Sequence, residues 1–298
     1  MTKDSETKIE LWRYVEKHRE VIEKSLHEFL PLAPPQIETK FNDAARYALF
    51  SGGKRLRPVL TLLGAELVGG RAEDVIPAAV AGEFIHTSSL IFDDLPAMDN
   101  ASVRRGKESL HEKFGEGLAM LVAIGFLNQA YGLVFIGQEN QLERAVQAHT
   151  EIVECVGAAG MLGGQSVDLA LAKGADFGSV STEGFESVRN LKTSALIRLS
   201  LRVGAILAGA NFKELENLSR FAELLGDAYQ LSDDLIDTEE DGEIFGEKHL
   251  ANTELELTKQ RLHTTIEKAK SLLNENFAEC QARVCLTQLT VYLGVRKS

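Results

Sequence analysis

Apolar residues recur every three or four positions along most of the chain, which is the spacing of one face of an α-helix. Residues 6–30 follow this pattern, and two further stretches, 75–95 and 114–136, are apolar on nearly every side. A helix without a polar face is buried among other helices. No run alternates polar and apolar residues between hairpin turns, so the pattern predicts an all-α protein.

Short joints that carry Pro, Gly, Asn or Asp separate the helical stretches. The sequence has no repeat of fixed length and no low-complexity tract. We therefore expect one domain over residues 1–298. The predicted helices cover residues 6–30, 38–50, a stretch after Pro58, 75–95, 114–136, 140–172, 183–209, 212–238, 254–275 and 276–296.

Composition narrows the class of partner. The 298 residues are 44% hydrophobic and carry a formal net charge of −12, which argues against nucleic acid or an anionic membrane as the main partner. Three cysteines without metal-type spacing indicate reduced thiols. The N-terminal sequence resembles neither a signal nor a transit peptide, and no apolar run approaches the roughly 20 residues that span a bilayer. We expect a soluble cytoplasmic protein without a transmembrane segment.

Two segments place clusters of aspartate at the end of apolar stretches, LIFDDLPAMDN and, far downstream, YQLSDDLID. In the second, Asp233 and Asp237 are four residues apart and share a helix face, where like charges destabilise the helix. The helix dipole adds to that cost near a C-terminal end, so a cation should offset it. The aspartates are Asp93, Asp94 and Asp99 in the first acidic motif and Asp233, Asp234 and Asp237 in the second.

Either acidic motif alone could be a solvated helix end, and the acidic run Glu239, Glu240 and Asp241 favours that interpretation of the second. Two such motifs change the balance, because antiparallel helices can present both across one cavity. Oxygen ligands of this kind suit Mg²⁺, which keeps several waters and is shared with substrate phosphates. The pair of motifs therefore predicts a magnesium site.

Two basic segments accompany the acidic motifs. GGKRLRP carries Lys54, Arg55 and Arg57 at a glycine joint, and RRGK begins at Arg104, shortly after the first acidic motif. Each segment alone is typical of a solvated surface. Beside metal-binding carboxylates, guanidinium groups are suited to diphosphate oxygens. The combination predicts two polyphosphate groups, one of them tied more closely to the metal.

Together the motifs resemble those of the trans-isoprenyl diphosphate synthase family: DDxxxxD followed by RRG, then DDxxD, with GGKRLRP upstream. The similarity runs from about residue 40 to the second acidic motif and more loosely to LTVYLGVRKS; IHTSSLIFDDLPAMDN is similar to the bacterial and plant synthases of farnesyl or geranylgeranyl diphosphate. The resemblance implies the isoprenoid-synthase fold, a bundle of about ten or more helices around a central cavity, usually a homodimer. It also implies magnesium-dependent, head-to-tail condensation of an allylic diphosphate with isopentenyl diphosphate.

The resemblance further implies a role for each matching residue. About three Mg²⁺ ions would bridge to the allylic diphosphate, held by Asp93, Asp94 and Asp99 from one side and by Asp233 and Asp237 from the other. Isopentenyl diphosphate would bind Lys54, Arg57, His86 and Arg105. The allylic substrate and the forming cation would meet Arg104, Lys192, Thr193, Gln165 and Gln230. Of these residues, the catalytic set would be Asp93, Asp94, Lys192, Thr193 and Gln230.

His86 has an alternative interpretation, since a histidine on a buried helix is more often a satisfied core residue. It lies seven residues before Asp93, however, which is two turns along the same helix face. That spacing favours a place in the same cavity.

Ser88 and Ser89 precede Asp93 by about 6–8 Å along the helix axis. A hydrocarbon tail anchored at the metal would run past them, and relatives that stop at fifteen carbons commonly carry an aromatic residue at one of these positions. Both are small here, which predicts a product of twenty carbons, geranylgeranyl diphosphate, or longer. Phe84, Phe126 and Leu127 are candidates for a deeper floor. The serines could instead simply pack against a neighbouring helix.

Three departures from the family pattern leave alternatives open. Phe92 replaces a usual histidine, Ile124 stands where an acid is usual, and the segment after the second acidic motif is short and acidic, with Lys248 as its plausible basic residue. The alternatives are a farnesyl diphosphate synthase and a weakly active regulatory subunit of a heteromeric synthase. A terpene cyclase fits less well, because it has no use for two basic segments.

Overall fold

The computed structural model describes residues 9–37, 39–172, 182–245 and 250–294. These residues are mostly helical, as the apolar periodicity predicts, with one short pair of strands. The helices are α1 (Ile9–Glu28), α2 (Phe41–Phe50), α3 (Leu56–Leu67), a 3₁₀ turn (Ala72–Val75), α4 (Ile76–Asp94), α5 (Leu110–Phe114), α6 (Glu116–Leu133), α7 (Leu142–Val156), α8 (Met161–Ala172), α9 (Thr182–Ala208), α10 (Phe212–Phe245), α11 (Leu250–Asn276) and α12 (Gln281–Leu293), and the strands are β1 (Val103–Arg104) and β2 (Lys107–Glu108).

Helices α4 and α9 lie in the middle of the bundle. Helix α9 packs against α3, α4, α7, α8 and α10, and α4 packs against α3 and α6. Glycine allows the close crossing of α3 and α9, because a Cβ at Gly64 would collide with the backbone oxygen of Leu201 and one at Gly204 with that of Thr61. Helix α4, which is apolar on nearly every side, is buried, as its lack of a polar face predicts. Helix α6 differs, because Leu121 and Ile124 on it are 59% and 54% exposed although the helix is as apolar.

The stretch Ala72–Asp94 is long and apolar enough to cross a membrane by length and composition, with a mean hydropathy of 1.4. However, 72% of that window is buried inside the protein. Its apolar residues contact neighbouring helices, which is the expected environment of a central helix in a bundle.

The predicted helix over 140–172 is two helices, α7 and α8. Gly157 leaves α7 with an extended backbone (φ −65°, ψ −171°), and the N–H of Gly160 donates to the carbonyl of Gly157 at 3.0 Å in the turn that follows. Glycine has little preference for the helix, so two of them allow a break that the apolar periodicity conceals. Helix α10 differs in the other direction, since it continues past residue 238 to Phe245.

A two-residue hairpin follows the first acidic motif. Strand β1 pairs with β2 in antiparallel register, with Val103 opposite Glu108. The two connecting residues, Arg105 and Gly106, both have positive φ, 53° and 73°, which is the backbone of a type I′ turn. Strands this short show no alternation in sequence, so the expectation of an all-helical chain missed them. The hairpin fixes Arg104 and Arg105 in space.

Candidate active site

The first acidic motif forms the C-terminal end of α4. Asp93 and Asp94 are buried, with 7% and 3% of their surface exposed. The loop after them folds back, because the N–H of Asp99 donates to the carbonyl of Asp93 at 2.9 Å and that of Ala101 to Asp94 at 3.2 Å. These bonds satisfy helix-end carbonyls that would otherwise lack partners. The loop thus keeps Asp99, which is exposed, near the two buried carboxylates.

Arg104, on β1, neutralises part of this negative charge. Its Nε and Nη2 atoms both donate to Oδ1 of Asp94, at 2.9 and 2.5 Å. The hydrogen bond to Asp94 raises the pKa of Arg104, and the charges of Asp94, Asp93 and Asp99 act in the same direction. The predicted allylic-diphosphate ligand and the predicted metal ligands are therefore neighbours.

The hairpin also joins the two basic segments into one cluster. Nη1 of Arg105 donates to the backbone oxygen of Gly52. The guanidinium lies over Gly53, where a Cβ would come within 2.8 Å of Nη1. Gly53 has a φ of +130°, so both its backbone and the space above it require glycine. Burial lowers the pKa of Arg105.

Arg57 and His86 bring unsatisfied donors to this cluster. The side-chain Nε of Arg57 and Nδ1 of His86 are buried and have no hydrogen-bond partner among the described residues. Burial, aided by the positive charges of Arg57, Arg105, Arg104 and Arg55, lowers the pKa of His86 well below its usual value. Buried polar groups normally find partners. An anionic ligand would supply them here.

Arg55 has a different part, although it belongs to the same basic segment. It is 5% exposed, donates to Glu23 and to Glu83 at 2.8 Å each, and reaches the carbonyl of Leu49 at 2.9 Å. Its φ of +53° places it before the first turn of α3. Arg55 anchors the loop and has its donors engaged within the protein.

Lys54 extends from the same loop on the exposed side. Its Nζ donates to the hydroxyl oxygen of Tyr292, on α12, at 3.0 Å. Sequence reasoning missed Tyr292, since it is 238 residues away and an isolated tyrosine near a C-terminus has no distinctive pattern. Sequence reasoning also missed Tyr229, on α10, because a single tyrosine has no distinctive pattern. It lies close enough to Arg57 to affect the pKa of that residue.

The second acidic motif is on α10, and Asp233 and Asp234 are half-buried. Nε2 of Gln230 donates to Oδ1 of Asp234 at 3.1 Å. Because Tyr229 precedes Gln230 and acts on Arg57, this part of α10 approaches the basic cluster. The side chain of Asp237 lies outside the described residues, as do those of Lys192 and Thr193 on α9, and Lys248 lies outside them altogether.

Gln165, on α8, meets the loop of the first acidic motif. Its Nε2 donates to the sulfur of Met98 at 3.9 Å. Its Oε1 atom is buried and lacks a hydrogen-bond partner among the described residues. Gln165 therefore lies beside the loop of the first acidic motif, with an acceptor still available, and its contact with the allylic substrate stays a prediction.

The two serines of the predicted ruler point in different directions. Ser88 is buried against α6, where its hydroxyl donates to the carbonyl of Ala123 at 3.0 Å. Ser89 lies three residues after His86 and four before Asp93, on their face of α4, and its hydroxyl donates to the carbonyl of His86 at 2.8 Å. Below Ser88, the buried rings of Phe84 and Phe126 are 5.2 Å apart, and Leu127 packs partly buried beside them.

The carboxylate oxygens of both motifs are the hard ligands that Mg²⁺ prefers. Among the side chains that the structure describes, however, no three His, Cys, Asp or Glu groups are close enough together to hold a metal ion. Asp237 is not in that set, and Arg104 engages Asp94. The oxygen ligands of the two acidic motifs fit magnesium. We expect a bound ion to offset the mutual repulsion of their carboxylates.

Known proteins resemble this chain in sequence over most of its length. The chain is 38% identical over 242 residues to the heterodimeric geranylgeranyl pyrophosphate synthase large subunit 2 of Arabidopsis thaliana, covering 80% of this chain and 63% of that protein. It is 38% identical to a geranylgeranyl diphosphate synthase of Cyanophora paradoxa, covering 79% and 77%. The chain thus spans less than two thirds of the length of the first relative.

A crystal structure of an FPP/GFPP synthase from Zymomonas mobilis, in its apo form, superposes with a TM-score of 0.83 at 28% identity, covering 97% of this chain and all of that one. The sequence model of the polyprenyl synthetase family matches residues 38–282, a range that contains both acidic motifs and both basic segments. The chain belongs to the polyprenyl synthetase family.

Proposed function

We propose that this protein is a magnesium-dependent prenyltransferase that condenses an allylic diphosphate with isopentenyl diphosphate. The observation that carries the proposal is the pair of buried polar atoms without partners among the described residues, Arg57 Nε and His86 Nδ1, on the elements that carry the first acidic motif and the basic cluster. Cations and unsatisfied donors suit a diphosphate, and carboxylates suit the metal that accompanies a second one. Family membership supports the same reaction.

In this reaction the C–O bond of the allylic substrate breaks, and diphosphate leaves with the electron pair. The double bond of isopentenyl diphosphate attacks the allylic carbon, and loss of a proton from the condensed product forms the new double bond. Magnesium, held by Asp93, Asp94, Asp99, Asp233 and Asp237, would neutralise charge on the leaving diphosphate.

The residues of the chain position the substrates and exclude water. Arg57, His86, Arg105 and Lys54 would bind isopentenyl diphosphate, and a neutral His86 donates or accepts one hydrogen bond without adding charge. Arg104, which donates to Asp94, would bind the allylic diphosphate. Lys192, Thr193, Gln165 and Gln230 complete the proposed allylic site. The apolar walls of α4 and α6 protect the cation from water.

The direct test is incubation of the purified protein with Mg²⁺, farnesyl diphosphate and labelled isopentenyl diphosphate, followed by sizing of the products. We expect a chain one or more isoprene units longer, and no product when a chelator removes the metal. Absence of turnover with both allylic starters, geranyl and farnesyl diphosphate, would contradict the proposal.

We propose geranylgeranyl diphosphate, with twenty carbons, or a longer chain as the product. The small side chain of Ser89, on the face of α4 that carries His86 and Asp93, supports this length, as does similarity to geranylgeranyl diphosphate synthases. Accumulation of a fifteen-carbon product would favour the farnesyl alternative. The name of the Arabidopsis relative as a large subunit of a heterodimer keeps a second candidate, a subunit that needs a partner; turnover that rises only when a small subunit is added would favour it.

A homodimer is the assembly that the surface supports. Large apolar side chains are exposed along α6 and α7, with Leu121 59%, Ile124 54% and Leu142 61% exposed. The two helices meet at the contact of Tyr131 with His149, whose ring centroids are 5.8 Å apart. An exposed apolar surface of this kind marks an interaction site. Ile124, which replaces an acid usual in the family, enlarges it.

Light scattering tests the assembly. The wild-type protein should have twice the mass of one chain, and Leu121→Glu with Ile124→Glu should convert it to a monomer because the charges cannot be buried against a partner. A monomeric wild type would contradict the homodimer. We also propose a location in the cytoplasm, which the free cysteines Cys155, Cys280 and Cys285 support, and fractionation of cells that express the protein would test it.

A further inference from the structure

Lys54 differs from the other proposed ligands of isopentenyl diphosphate because its side chain has many accessible rotamers. Its backbone is fixed between Gly53, with a φ of +130°, and the anchored Arg55. The side chain is exposed and carries four rotatable carbons, so its ammonium group can occupy many positions. A lysine loses much of its rotamer freedom when it is immobilised, which weakens the binding of any ligand for which it must first be ordered.

Tyr292 removes much of that freedom. Its hydroxyl oxygen accepts a hydrogen bond from Nζ of Lys54 at 3.0 Å, and Nζ lies 5.6 Å from the centre of the ring. With these two distances Nζ lies beyond the hydroxyl end of the ring and close to its plane, so it is the hydrogen bond that holds the ammonium group at the rim of the basic cluster.

The ring of Tyr292 is itself held in place. Trp12, on α1, meets it edge to face, with ring centroids 5.3 Å apart and planes at 85°. Helix α12 packs against both α1 and α3, and α3 begins directly after the loop that carries Lys54. The C-terminal and N-terminal helices therefore meet at one amino group of the proposed substrate site.

We propose that Tyr292 is a positioning residue for isopentenyl diphosphate, which orients the ammonium group of Lys54 before the substrate arrives. This inference rests on the proposed function. Tyr292 itself need not touch the substrate, and its effect is exerted through Lys54. Pre-organisation of this kind improves binding of one substrate and leaves the chemical step unchanged.

The test is steady-state kinetics on Tyr292→Phe, which removes the hydroxyl and keeps the ring packed on Trp12. We expect a roughly three- to tenfold rise in KM for isopentenyl diphosphate, the range of one hydrogen bond, with kcat and KM for the allylic substrate unchanged. Tyr131→Phe is the matched control, because Tyr131 lies on α6 against His149. An unchanged KM in Tyr292→Phe would overturn the inference.

A double-mutant cycle separates positioning from general damage. In a Lys54→Ala background, Tyr292→Phe should produce no further rise in KM, because the group that it positions is gone. A full additional rise there would contradict the inference, even if both single variants fold less stably. Trp12→Leu should raise the same KM by a smaller factor, through loosening of the ring.

The outcomes also separate this inference from the proposed function. If the wild-type protein does not use isopentenyl diphosphate, both fail. If the wild type turns over and the Tyr292→Phe variant has the same KM, only the role of Tyr292 fails.

Discussion

Arg55 and Arg57 stand two residues apart at the start of α3, and they face two different surroundings. On the anchor side, Arg55 is engaged by Glu23, Glu83 and the carbonyl of Leu49. On the ligand side, Arg57 has a buried Nε without a partner among the described residues, next to His86 in the same condition. Both arginines are basic residues of the same segment, GGKRLRP. The comparison shows that burial alone does not mark a binding residue, and that Arg57 is set apart by an unpaired buried Nε within a cluster of positive charges.

The largest effect should follow from Asp93→Asn, which changes a proposed metal ligand in the first acidic motif. The substitution keeps the shape and removes one charge, so we expect elongation to fall by roughly 10³-fold or more. Thermal stability should stay the same or rise, because Asp93 and Asp94 are adjacent buried carboxylates. The exposed Asp43→Asn is the matched control. Near-normal turnover in Asp93→Asn would contradict the metal assignment.

The two arginines themselves give a matched pair, Arg55→Met and Arg57→Met. Loss of Arg55 leaves Glu83 buried without its cation, so unfolding by urea should require about 3–5 kcal/mol less free energy. Loss of Arg57 should leave that free energy nearly unchanged and raise KM for isopentenyl diphosphate roughly 10- to 100-fold. Equal losses of stability in the two variants would remove the distinction between anchor and ligand.

A moderate effect on product length should distinguish Ser89 from Ser88. Ser89 shares the face of His86 and Asp93, so Ser89→Phe should block the path of the growing chain and shorten the product by one isoprene unit. Ser88 packs on Ala123, so Ser88→Phe should lower the melting temperature through overpacking before it alters length. Chromatography of the products with calorimetry of both variants checks this. An unchanged product in Ser89→Phe would rule out the ruler.

The smallest effect concerns pH. Burial lowers the pKa of His86 well below its usual value. As the pH falls through about 6.5, His86 is therefore protonated in the unfolded chain but stays neutral in the native protein. Native stability should therefore fall as the pH drops below about 6.5. His86→Gln should flatten that part of the curve, whereas His263→Gln, on exposed α11, should not. Urea midpoints at several pH values measure it, and parallel curves for wild type and His86→Gln would contradict the burial of a neutral imidazole.

The sequence predicted the fold class and the polyprenyl synthetase family, and both are confirmed. Periodicity located the helices because apolar spacing repeats over many turns. It merged α7 with α8, since the break at Gly157 and Gly160 does not interrupt the apolar pattern. It could not detect the hairpin, whose pairing involves two residues on each strand.

Residues of the candidate site could be predicted where they stand close together in the sequence as a motif. The acidic motifs and basic segments identified Asp93, Asp94, Arg104 and Arg105, and the structure brings these together. The division of labour between Arg55 and Arg57 was not predictable, because Glu83 is 28 residues from Arg55. The roles of Lys192, Thr193 and Asp237 stay predictions, as do the single domain and the participation of Lys248.

Gly53 and Arg105 are coupled across 52 residues of chain, because the guanidinium fills the space where a side chain at position 53 would stand. Position 53 is therefore constrained twice: a larger residue would need the side chain at 105 to move, and it would still have to adopt a φ of +130°, which glycine alone does without strain. Mutant libraries that vary Arg105 should therefore keep codon 53 as glycine, since the backbone there stays restrictive even when the space above it is cleared.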